Sequence, residues 1–242
     1  MSLSRVLPKL ARYLLIMLAG TAILLSACVP TTANPDSGER VEVAQLTDTI
    51  TYYPHQVGAE WRYLEENVPL ESMPLVQRID GPTIIDGDLW VKSRLEGQGI
   101  EIFTYRQFRP DGVFLLRTDK PGTEITFDPP IQQFPAENTL KTGASWSGDT
   151  TAHLFFPDAV AENQNDELPI HYVYTVVDQR KVTSPAGAFD VFVINFVTRN
   201  LDEQGATVQE FSQEIWFSPF VGEVRTEQGY YLVSTNVTET QE

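Results

Sequence analysis

The chain has 242 residues, with 17 basic against 33 acidic side chains and a formal charge of −16. So acidic a chain is repelled by nucleic-acid phosphates and anionic lipid head groups, and no basic cluster offsets this, so nucleic acid is excluded as a partner. Its one cysteine, Cys28, allows neither a disulfide framework nor a cysteine metal site, and the fold must rest on an apolar core drawn from the 42% hydrophobic and 11% aromatic residues.

The first 27 residues carry Arg5, Lys9 and Arg12, then the apolar run from Leu14 to Leu25, then Ser26 and Ala27 before Cys28. Twelve apolar residues span about 18 Å as a helix, whereas a bilayer core requires roughly 20 residues. The run therefore has the length of a signal-peptide core rather than of a membrane span. Leu25-Ser26-Ala27-Cys28, with these flanks, closely resembles the processing signal of a bacterial lipoprotein. The resemblance implies cleavage before Cys28, lipidation of its thiol and a chain anchored to a membrane outside the cytoplasm. No Asp follows Cys28, which resembles the sorting signal for the outer membrane where the host has two membranes. The leader takes three basic residues with it, so the remainder holds 14 basic and 33 acidic side chains, a formal −19. Such crowding predicts that salt and mild acid stabilise the domain. Residues 28–50 are polar and contain Pro30, Pro35 and Gly38; they read as a lipid-anchored tether, with an edge strand from Val41 to Leu46 as the alternative.

Residues 51–242 read as one β domain. Asp86-Gly87-Asp88, Gly97-Gln98-Gly99, Pro110-Asp111-Gly112 and Asp119-Lys120-Pro121-Gly122 are turn sequences, because Gly tolerates positive φ and Pro presets the first turn position. Between them the spacing predicts strands near 75–85, 88–96, 100–109, 113–118 and 123–127, an antiparallel meander. Further on, Ile170, Tyr172, Tyr174 and Val176 alternate onto one face. The run Phe189 to Val197 is apolar on both faces, as a strand covered on both sides would be. Phe211, Ile215 and Phe217 share a face in the next strand, and Tyr230 to Val237 closes the chain. No sustained 3.6-residue period follows the leader; one short helical turn is predicted near Ala159 to Asn163. The fold class is therefore all-β, mainly antiparallel, as a curved meander sheet or half-barrel. An internal echo, Tyr53-Pro54 with Gly58-Ala59-Glu60-Trp61 against Phe134-Pro135 with Gly143-Ala144-Ser145-Trp146, suggests two similar halves, 51–133 and 134–242, with chance similarity of turns as the alternative.

Catalytic constellations are not evident. His55, His153 and His171 lack metal-ligand spacing, and His171 reads as a strand-surface histidine. Gly143 to Gly148 lacks the second glycine of a nucleophile elbow. Glu210 and Glu214 on one strand face stand about 13 Å apart, too far for a glycosidase pair. Asp86 and Asp88 suit a solvated hairpin turn better than a cation loop. No catalytic residue, metal or cofactor is expected. Trp61, Trp90, Trp146 and Trp216, with Tyr172 and Tyr174, are the candidate apolar ligand surface, the alternative being that these rings fill the core.

Pro54-x-x-x-Gly58-x-x-Trp61-x-Tyr63 resembles the opening of a group of uncharacterised bacterial envelope lipoproteins. Pro185-Ala186-Gly187-Ala188-Phe189-Asp190, Trp216-Phe217-Ser218-Pro219 and Val221-Gly222-Glu223-Val224-Arg225 resemble its closing segments. That resemblance implies an architecture like the half-barrels of the lipoprotein carriers LolA and LolB, without the apolar helices that lid them. The functional expectation is a non-enzymatic envelope module that binds or scaffolds a partner protein or an apolar ligand. The alternatives are an envelope polymer hydrolase using paired carboxylates and a purely structural surface lipoprotein.

Overall fold

The computed structural model describes residues 52–237; the lipidation signal, Cys28 and the tether lie outside the described residues. Twelve strands follow one another: β1 (Glu60–Glu65), β2 (Leu75–Ile85), β3 (Asp88–Gly97), β4 (Ile100–Arg109), β5 (Gly112–Lys120), β6 (Thr123–Pro135), β7 (Ser145–Phe155), β8 (Asn165–Ser184), β9 (Gly187–Leu201), β10 (Thr207–Ser218), β11 (Gly222–Arg225) and β12 (Tyr230–Thr235). Each pairs antiparallel with the next, and β12 returns to β1, so the meander closes into a barrel. The antiparallel all-β expectation holds, and the expected curvature runs on to full closure. Closure leaves no strand at the edge of the ring, although the distal β8–β9 hairpin and the end of β2 run past their neighbours and pair on one side only. The ring closes through rungs among the described residues. The predicted helical turn is a short 3-10 turn at Ala161–Asn163.

Registers fix which side chains point inward, because directly paired residues share a face. Tyr172, Tyr174, Val176, Ile194, Phe196, Ile215 and Phe217 join Val113, Leu115, Ile131 and Phe134 in one interior cluster. A second cluster gathers Trp61, Tyr63, Leu75, Ile79 and Leu232 with Val191, Val193 and Trp216. Strand β9 thus buries both faces, Phe192, Ile194 and Phe196 in one cluster and Val191 and Val193 in the other. The distal part of the long β8–β9 hairpin accounts for this. Beyond an irregularity at Val176/Asp178 it turns toward β12, which is not its neighbour in the ring.

The outer wall is polar. Arg78 pairs with Glu60, Arg117 with Asp119, His171 with Asp149 at 2.7 Å and Arg199 with Glu210 at 2.6 Å. A barrel that spans a bilayer needs an apolar band outside, and this wall has the opposite polarity. No helix among the described residues is long and apolar enough to cross a membrane.

The internal echo has a matching geometry. Gly58 and Gly143 both adopt positive φ, +84° and +83°. Gly58 N–H donates to Ile79 O, and Ile79 N–H to Ala59 O; Gly143 N–H donates to Val176 O, and Val176 N–H to Ala144 O. Each bracket precedes a register irregularity in the partner strand, at Ile79/Gly81 and at Val176/Asp178. The strands opened this way, β1 and β7, stand six places apart in the ring of twelve.

Candidate functional site

One end of the barrel is plugged by its own chain. Tyr52 donates its hydroxyl hydrogen bond to Pro135 O at 2.6 Å, and Phe220 N–H donates to Tyr52 O. Tyr53 packs its ring on Phe134 and, stacked, on Phe217 at 5.7 Å between centroids. His55 stacks on Phe108 at 4.2 Å. Aromatic pairs in such arrangements add to simple burial, so this end is a packed core.

Away from the plug, the inward faces are not fully covered. On β10, Phe217 is 0% exposed, Ile215 5% and Phe211 36%, all on the inward face. On β8, Val176, Tyr174 and Tyr172 are buried, while Ile170 and Leu168 on the same face are half-exposed. Ile125 and Leu154, paired across β6 and β7, and Ile102 on β4 are half-exposed as well. Filled barrels bury such positions. Here one half is filled, and in the other the inward apolar side chains, interspersed with Thr198, Asn200 and Gln213, retain solvent access.

Polar groups gather where the two halves meet. Arg106 of β4 lies on the inward face with Leu115. Its Nε donates to Gln133 Oε1 at 2.7 Å, and an Nη to the buried Ser93 Oγ at 3.2 Å. Across from it stand Glu223 of β11 and Glu227 of the β11–β12 turn. Both are partly buried, and Glu223 shares the face of inward Phe217, its partner on β10. Burial pushes the Glu223 carboxyl up to about 7, reinforced by Glu227 and opposed by Arg106 and a hydrogen bond from Tyr53. Glu227 is raised by the same burial, against Arg106, Lys120 and the Gln228 amide, which donates to it at 2.6 Å. Desolvation disfavours the charged carboxylate in both. Burial likewise raises the phenols that face this cluster, Tyr53 to about 12 and Tyr63 and Tyr174 well above their ordinary range. Tyr63 donates to the backbone oxygen of Glu223 at 3.1 Å.

The six aromatic residues singled out from sequence do not line one surface. Trp61 is buried and donates Nε1–H to Val221 O at 2.6 Å. Trp146, half-buried, stacks on Tyr174 at 5.3 Å and donates to Gln132 O. The Tyr172 hydroxyl accepts from Gln132 N–H, and its ring lies against Gly148, where a Cβ would meet the hydroxyl at 2.5 Å. Trp90 is buried on β3. Trp216 alone borders an outer cleft of about 230 Å³, between the β1–β2 loop and the β8–β9 turn, with Leu64, Leu70, Pro185 and Tyr231. His171 is on the strand surface, as expected. Among the described residues no group of three metal-ligating side chains occurs. Arg106, Glu223 and Glu227 were not reached by sequence reasoning.

No family model matches the sequence, and no curated protein matches it. Two solved structures are similar. One is a candidate exported protein with a YmcC-like fold from Bacteroides fragilis NCTC 9343, 14% identical, with a TM-score of 0.34 over 76% of this chain and 98% of that one. The other is a candidate lipoprotein from Parabacteroides distasonis ATCC 8503, 11% identical, with a TM-score of 0.39 over 78% of this chain and 100% of that one.

Proposed function

We propose that this protein is a lipid-anchored envelope lipoprotein whose barrel is a non-enzymatic binding module that admits an apolar ligand into its open half. The anchoring rests on Leu25-Ser26-Ala27-Cys28 and its flanks. Multiple acylation of Cys28 holds a chain at a membrane where one acyl group would not. The site is the membrane face outside the cytoplasm, the outer membrane where the host has one. Labelled palmitate should enter the wild-type chain and not Cys28→Ala; equal labelling of the two would refute the anchor.

The binding reading is carried by the exposure gradient along β8 and β10, from buried Val176 and Phe217 to half-exposed Leu168 and Phe211. Barrels of this kind commonly hold ligands at their mouths. A second reading, docking of a partner protein, is favoured by Ile84 and Leu89. They pair directly at the β2–β3 tip and are 73% and 61% exposed. Native mass spectrometry of the chain, delipidated at Cys28 and recovered from its own host, separates these. A bound small molecule supports the first reading and a bound protein the second. A bare chain would count against both.

A further inference from the structure

The polar groups at the floor of the open half differ in kind from its walls, and that difference specifies a ligand. Arg106 is held in place by two neutral partners, Gln133 and Ser93, rather than by a carboxylate. A guanidinium has five N–H donors in a fixed fork, and these bonds use two of them. Arg106 sits on the inward face beside Leu115, where its positive charge acts on Glu223, Glu227 and Tyr53. Toward the mouth Ile102, Ile125, Leu154, Leu168, Ile170 and Phe211 line the inward faces, interrupted by Thr198, Asn200 and Gln213. Geometry of this sort suits a molecule with a charged head and an apolar body.

We propose that the open half binds a single-chain amphiphile head-first, its acidic head group, a carboxylate or phosphate, on the Arg106 guanidinium and its chain along the inward faces of β4, β6, β7, β8 and β10. This rests on the binding reading above and adds the ligand class. Arginine suits such heads because its planar fork meets two oxygens at once. The groups facing Arg106 set when the head is welcome. They are Glu223 on β11, Glu227 in the β11–β12 turn, Tyr53 in the plug, Tyr63 on β1 and Tyr174 on β8, with Lys120 at the rim facing Glu227. The phenols stay neutral at ordinary pH. An ionised Glu223 competes with the incoming anion, and a protonated one does not. Binding of the acidic head therefore takes up a proton at Glu223, and affinity rises as pH falls through about 7.

The test uses the chain 29–242, whose barrel closes on its own strands, loaded with the neutral dye N-phenyl-1-naphthylamine. Dodecanoate, dodecyl phosphate, dodecylamine and dodecanol then compete for it. The two acids should displace the dye about ten- to a hundredfold more tightly than dodecanol, the range of one charge-assisted contact. Arg106→Gln should erase that margin while dye binding stays. Glu223→Gln should remove an approximately tenfold gain in dodecanoate affinity between pH 8 and pH 6. Equal binding of the four probes, or tightest binding of the amine, would overturn the head-group assignment and leave the binding reading intact. That comparison needs no variant, so it survives misfolding of either substitution. Failure of the dye and of all four probes to bind, in a chain that melts cooperatively, would overturn the binding reading and this proposal with it.

Discussion

Phe217→Ala is expected to lower the unfolding free energy by about 4 kcal/mol, the middle of the range for a buried phenylalanine. The ring is 0% exposed. It meets Tyr52 edge-on at 5.7 Å, Tyr53 face to face at 5.7 Å and Phe134 at 4.6 Å. These neighbours come from separate parts of the chain, the plug and β6, so one truncation loosens the barrel end from its stopper. The cavity cannot collapse readily, because Tyr52 is tied to Pro135 and to Phe220 through the backbone. Urea unfolding measures the loss, and the melting temperature should fall by roughly 10 °C in a domain of this size. Phe211→Ala provides the contrast. It lies on the same inward face of the same strand but is 36% exposed, so it should cost less than about 1 kcal/mol. Equal losses at the two positions would show that the barrel has no filled half and no open half.

Those two phenylalanines also show what the sequence made legible. Two-residue alternation placed Phe211, Ile215 and Phe217 on one face, and the registers confirm it. Turn chemistry located the hairpins between β2 and β6 to within a few residues, because Gly and Pro act locally. Closure was not legible. It depends on β12 meeting β1 across most of the chain, through rungs such as Tyr63 against Leu232, and no local pattern records that. The difference between the filled and the open half was hidden for the same reason, since the plug at Tyr52 and Tyr53 is a tertiary contact. Arg106 was concealed by alternation itself. In Phe103-Thr104-Tyr105-Arg106-Gln107-Phe108 the richer aromatic set points outward, and the inward set contains the arginine. Glu223 was concealed by an irregularity. The register slips between Trp216 and Phe217, which sets Glu223 opposite inward Phe217 and Arg225 opposite Trp216. Strict alternation would have put Glu223 and Arg225 on one face.

The stability of the domain should fall as pH rises from about 4.5 to about 7, and Glu223→Gln should flatten most of that slope. The folded Glu223 carboxyl titrates at about 7 against an ordinary 4.5. Between these values the native state holds a proton that the unfolded chain has released. Stability then drops with each unit of pH, and the loss is complete once the folded carboxyl has ionised above about 7. The shift corresponds to about 3 kcal/mol as an upper bound, since water in the open half shields the charge. Glu227 is raised for the same reason and adds in the same direction. Acid from the other side has the opposite effect. Hydrogen bonds from Arg78 and Arg62 hold the Glu60 carboxyl low, and their contribution disappears as pH falls below the ordinary carboxylate range. Maximum stability is therefore expected in mild acid, as the excess of acidic residues already suggested. The carboxyls that are shifted upward, however, are Glu223 and Glu227, displaced first by burial, while several outer-wall acids are paired with arginine. Salt separates the two origins, because it screens charges on the outer wall far more than charges enclosed by protein. Melts of wild type and Glu223→Gln from pH 5 to pH 8, each at low and at high salt, measure this. At pH 8 the variant should be the more stable at either salt concentration. A wild-type slope that high salt abolishes and Glu223→Gln leaves unchanged would place the effect on the outer wall instead.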